Sequence, residues 1–155
     1  MATKAERRPL HFDSLEEALA EAERLASGAV TTSGKYSLGQ ILEHLARTIE
    51  IALGQRSAPK IPFPIRLAAR LLRTRFLSKP MRSGFKLPSK SQSVFWPDHE
   101  VAVETGLQHY REAIARFHDT DPHPTHPLLG DITRAEHTQL QCRHAELHLS
   151  FVRPA

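Results

Sequence analysis

The chain has 155 residues, 40% hydrophobic and 25% charged, with a single cysteine. It is long enough for one domain that buries about 70% of its unfolded surface, and the lone cysteine excludes an internal disulfide and fits a reducing, cytoplasmic setting. The net charge of +4 is local: ten of the 21 Lys and Arg residues and none of the 17 Asp and Glu lie between residues 56 and 90, leaving 11 basic residues against all 17 acidic ones elsewhere.

Residues 1–12 carry charge but no apolar core of a signal peptide, and are read as a loose lead-in to a single domain over 13–155. Ser14 followed by Glu17 reads as a capping box, and Leu15, Leu19, Ala22 and Leu25 give a helix that stops at Gly28. A second box, Ser37 with Gln40, opens a helix whose apolar face holds Leu38, Ile41, Leu42, Leu45, Ile49, Ala52 and Leu53. His44 sits at the edge of that face, away from the wet stripe of Glu43, Arg47 and Glu50, and can point inward.

Pro59 and Pro62 mark a connection, after which residues 65–77 read as a short basic helix. Residues 78–97 read as irregular, and Met81, Phe85, Leu87, Phe95 and Trp96 imply that this stretch packs down over something. Asp98 is read as the cap of the next helix, which runs to about His118. A proline-rich loop follows over 119–131. Thr133 and Glu136 then form a third box for a final helix with a core stripe of Leu140, Leu147 and Phe151.

No sustained strand pattern, internal repeat or apolar run of about 20 residues is present, so no transmembrane helix is expected. The predicted fold class is all-α: a four-helix bundle with a long crossover carrying a short extra helix.

The final helix carries His144 and His148 four residues apart, on one helical face. That spacing aims two imidazoles at one point, and His44 is the candidate third ligand of a divalent metal. Cys142 lies about 200° around the helix from His144 and reads as an ordinary helix residue. Three neutral imidazoles suit zinc or nickel. No fourth side chain is evident, so the site stays open to a water or small thiol.

Leu38-Gly39-Gln40-Ile41-Leu42-Glu43-His44-Leu45 resembles the second-helix signature of the DinB/YfiT-like metalloenzyme family. His126-Pro127-Leu128-Leu129-Gly130, the run from Thr133 to Glu136, and His144-Ala145-Glu146-Leu147-His148-Leu149 resemble the closing signature of one branch of it, a domain of unknown function. The resemblance spans roughly residues 13–153. It implies an up-down-down-up bundle, zinc or nickel on His44, His144 and His148, and relatives that transfer low-molecular-weight thiols or hydrolyse amide-like bonds. The sequence itself is silent on dimerisation; relatives often pair, which makes a homodimer a candidate assembly.

The functional expectation is a metal-dependent hydrolase or thiol S-transferase acting on a small molecule, with a low-molecular-weight thiol as a candidate cofactor. The alternative is a non-catalytic bundle that binds a ligand or partner around a vestigial or structural metal. His126, His137 and Gln141 are expected to support the ligands or line the pocket. Arg66, Arg70, Arg73 and Arg82 are candidates for steering an anionic substrate. No nucleic-acid signature is present. Membrane-surface docking of residues 61–77 is conceivable from their mix of arginines and apolar residues, but no membrane partner is expected.

Overall fold

A computed structural model describes residues 6–84 and 88–155. Phe85 and Leu87, expected to pack down in the crossover, lie outside the described residues.

The capping residues fix where the long helices begin. Helix α1 (Leu15–Ala26) starts at Ser14, whose hydroxyl accepts from the Glu17 N–H. The Glu17 carboxylate returns to the N–H of Asp13, one residue outside a reciprocal box. Strand β1 (Val30–Thr32) leads to α2 (Leu38–Ala52), where Ser37 and Gln40 complete the box in both directions. Helix α6 spans Val103–Asp119 and α7 spans Arg134–Leu149, the latter behind a complete Thr133/Glu136 box. These four helices share one core, built from Leu15, Leu25, Leu42, Leu45, Ile49, Tyr110, Phe117 and Leu149 among others.

The closest approach in the core lies between α2 and α6. A Cβ on Gly39 would stand 1.8 Å from the Val101 carbonyl oxygen, and one on Gly106 would stand 2.5 Å from the Gly39 carbonyl oxygen. That contact corrects the expected start of α6. Asp98 does not cap the helix: it pairs with His99, while residues up to Ala102 cross the start of α2 and Gln40 donates to the His99 carbonyl. The helix begins five residues later, behind Ala102, which offers no side-chain cap.

Among its described residues the crossover carries three short helices where one was expected. Helix α3 (Phe63–Leu71) and α4 (Arg73–Ser78) are separated at Leu72, which leaves the helical region at ψ 13°. Helix α5 (Ser89–Phe95) occupies part of the stretch read as irregular. The crossover docks through a second core of Ala69, Leu77, Leu129, Ile132 and Leu140.

Among the described residues, four short strands also correct the expectation of none. Strand β1 pairs antiparallel with β4 (Val152–Pro154), and β2 (Thr125–His126) pairs with β3 (Gly130–Asp131). Such two- and three-residue ladders are too short to leave an alternating pattern.

The lead-in is anchored over its described part, residues 6–12. The Arg8 N–H donates to the Ser150 carbonyl at 2.8 Å, and its guanidinium donates to the carbonyls of Leu149 and Val152. This places a cation on the C-terminal end of α7, where the helix dipole favours one. Phe12 is buried, and its backbone is held by the buried Arg143–Glu146 pair.

On α7 the expected stripe is only partly interior. Leu140 belongs to the second core, whereas Leu147 and Phe151 are half-buried. The first core instead takes Cys142, Ala145 and Leu149, leaving the opposite side of the helix to histidines. Burial pushes the Cys142 thiol up to about 11, so it stays protonated and inert at neutral pH.

Candidate metal centre

His44 enters from the middle of α2, and His144 and His148 from successive turns of α7. Their Nε2 atoms form a nearly equilateral triangle. The separations are 3.1 Å for His44–His144, 3.2 Å for His44–His148 and 3.0 Å for His144–His148.

The remaining ring nitrogens show how two of the three imidazoles are oriented. His44 Nδ1 lies 3.0 Å from the Phe95 carbonyl oxygen, which can only accept. The Nδ1 therefore carries the proton and the Nε2 is a bare lone pair. Thr48 gives its hydroxyl hydrogen to the Leu45 carbonyl at 2.8 Å, so its oxygen is left to accept from His144 Nδ1 at 3.4 Å. Two of the three rings are thus turned to present Nε2 inward.

The bare lone pairs of His44 and His144 at this spacing repel unless a cation, or a proton on His148 Nε2, sits between them. Metal–nitrogen bonds of about 2.0–2.1 Å in a tetrahedral arrangement separate the nitrogens by about 3.3–3.4 Å. The observed 3.0–3.2 Å triangle is close to that, and the donor set fits a divalent ion. Among the described residues, no other group of three His, Cys, Asp or Glu side chains is so placed. His44 is buried, while His144 and His148 keep part of their residue surface exposed.

Burial holds all three imidazoles neutral. His44 is pushed well below its ordinary value by burial and then by His144. His144 is lowered to about 4 by burial alone. His148 is held well below its ordinary value by burial, by the other two rings, and by Arg7. Neutral imidazole is the form a metal takes.

Trp96 roofs one side. Its ring stacks on His44 with centroids 3.8 Å apart and planes 3° from parallel, and Tyr36 stacks on its outer face at 3.7 Å. Trp96 also meets His148 edge-on at 5.1 Å. The crossover therefore contributes both the carbonyl that orients His44 and the aromatic wall above it.

The other sequence candidates are placed unevenly. Gln141 is buried, and its Oε1 lies 3.4 Å from Thr48 Oγ1; with the Thr48 hydrogen given to Leu45, it packs beside the centre without bonding into it. His126 and His137 rings lie 5.9 Å apart beside the α7 face. His126 Nδ1 accepts from the N–H groups of Leu128 and Leu129, and burial, then His137 and His144, lower its pKa to about 4. His137 donates from Nε2 to the His123 carbonyl, leaving its buried Nδ1 without a partner.

Of the four arginines, Arg73 is committed to Glu136 and the Asp131 carbonyl. Arg70 packs against Gly130, and Arg66 lines a cavity beside Pro127. None of Arg66, Arg70, Arg73 and Arg82 is bonded to the triad among the described residues. The cation beside His148 is Arg7, held by Ser150 Oγ and the Met81 carbonyl. Sequence reasoning missed it because it lies more than a hundred residues away. Thr48 was accessible to that reasoning, since it follows His44 by one helical turn.

Neither curated proteins nor solved structures give a match to this chain. One family model matches residues 4–155, nearly the whole chain and all three histidines of the centre, and it carries the description of a protein of unknown function. The chain belongs to the DUF1569 family.

Proposed function

We propose that His44, His144 and His148 hold one divalent metal, zinc or nickel, and that the chain is a metal-dependent enzyme of the hydrolase or thiol-transferase type. The observation that carries this reading is the Nε2 triangle, with two rings held in the metal-binding tautomer by Phe95 and Thr48. A divalent metal held by three neutral imidazoles with an open position supplies a Lewis acid that activates a bound water or thiol at neutral pH. The protein's own contribution is orientation and exclusion. Phe95 fixes the His44 ring, Trp96 closes one side to solvent, and the partly exposed His144 and His148 leave the other side for a small molecule.

The arrangement of α1, α2, α6 and α7 around a common core supports reading the family as a branch of the DinB/YfiT-like bundles. The up-down-down-up order belongs to this proposal, as does a cytoplasmic setting.

Elemental analysis of protein purified without a histidine tag tests the reading, with wild type beside a His44→Ala/His148→Ala variant. The expected result is about one metal per chain in the wild type and none in the variant. Equal content in both, or none in either after incubation with zinc or nickel, would remove the metal centre. Screening of thiols against electrophiles and amides then follows, with loss of turnover on chelation as the expected behaviour.

A further inference from the structure

Helix α3 leaves an apolar ridge uncovered. Phe63, Leu67 and Leu71 recur at every fourth residue, and Leu72, the residue that ends the helix, is exposed beside them; they are 63%, 45%, 79% and 50% exposed. These four are the large hydrophobic side chains exposed among the described residues, and α3 buries only Ala69. Residues at i and i+4 stack along one side of a helix, so the ridge is continuous and convex.

The sequence around it is dense in basic residues. The 56–90 segment contains no Asp or Glu. Arg56 and Arg73 reach acids elsewhere, at Glu50 and Glu136. Lys60, Arg66, Arg70, Arg75, Lys79 and Arg82 have no ion pair among the described residues. Lys60 and Arg66 line a cavity of about 370 Å3 with Pro59, Ile61 and Pro127, just ahead of the ridge. The Nε–H of Arg66 is buried with no acceptor, an arrangement that calls for a partner.

We propose that this face docks on an anionic phospholipid surface, with the Phe63–Leu67–Leu71 ridge and the adjoining Leu72 at the acyl boundary and Lys60 and Arg66 taking a lipid phosphate. An apolar stripe flanked by Lys and Arg is what an interfacial helix requires, and no described helix is long and apolar enough to cross a membrane. A second copy fits the face poorly. A two-fold contact through it would set two unneutralised basic sets against each other. A lipid surface also accepts a convex ridge without a matching groove.

Flotation with phosphatidylcholine vesicles, with and without phosphatidylglycerol, tests the proposal. Wild type is expected to float with the phosphatidylglycerol vesicles at low salt and to be released by high salt. Leu67→Asp/Leu71→Asp and Lys60→Ala/Arg66→Ala should each weaken binding about tenfold or more. Both pairs of side chains lie outside the four-helix core, and circular dichroism should show wild-type helix. Metal content should be unchanged in both variants, which separates this test from that of the metal centre. Failure to float with either vesicle overturns the proposal. So does equal binding to both vesicles, binding of inorganic phosphate without vesicle binding, or a concentration-dependent dimer abolished by Leu67→Asp/Leu71→Asp.

Discussion

The four-helix core and the crossover are built in opposite ways. Helices α1, α2 and α7 begin on side-chain caps and bury broad faces. Helices α3, α4 and α5 have no side-chain cap and bury one residue each, Ala69, Leu77 and Ser91. Yet the candidate centre needs both. The core supplies three imidazoles on two helices, and the crossover supplies the Phe95 carbonyl and the Trp96 ring. A pair of packed helices sets the spacing of the imidazoles, and a loosely built strap sets the orientation of one of them.

The contrast can be broken most severely in the core. Gly39→Ala would drive a methyl group into the Val101 carbonyl. It should cost about 3 kcal/mol or more, or prevent folding, because both partners are backbone. A denaturant midpoint close to wild type would show that the α2–α6 contact is looser than described. At the centre, Thr48→Val keeps shape but removes the acceptor facing His144 Nδ1. Metal affinity should fall about tenfold, as when a hydrogen-bond partner of a ligand is lost, with helix content unchanged. Unaltered affinity would leave His144 oriented by packing alone.

A smaller effect sharpens the comparison on the solvent side of α2. His109 lies 2.6 Å from both Glu43 and Glu50. Burial opposes its charge, but the two carboxylates outweigh it and raise its pKa above 6.5. Glu43 and Glu50 are held below 4.5, their burial outweighed by His109 with Arg47 and Arg56 respectively. Arg116 also reaches Glu50. The histidine's contribution is full below 6.5 and fades as pH rises through its raised value. The glutamates' contribution is full above 4.5 and fades as pH falls through their lowered values. The cluster therefore stabilises most between about 4.5 and 6.5. His109→Gln should lower the melting temperature more at pH 5.5 than at pH 9; an equal loss at both would mean the imidazole acts only by packing.

What could be read from the sequence follows the range of the interactions. The Ser37/Gln40 and Thr133/Glu136 boxes act over three residues, and α2 and α7 start where they indicate. His144 and His148 share a face by helical period alone, and His44 was placed inward by its position against Glu43 and Arg47. Asp98 misled because the chain after it is held by Gly39, about sixty residues earlier. The division of α3 from α4 at Leu72 and the short strands depend on packing and pairing partners far along the chain. Phe95 acts through its backbone, so its identity carries no sign of the role. Arg7 lay in a segment read as loose, and only the fold brings it to α7.

The chain has one tryptophan, and it stacks on a candidate ligand. Titrating metal-free protein with zinc while following Trp96 emission therefore reads the centre directly. The triad requires a change that saturates at about one equivalent in the wild type and is absent in His148→Ala. A flat titration in the wild type, or the same saturation in His148→Ala, would contradict a metal held by His44, His144 and His148.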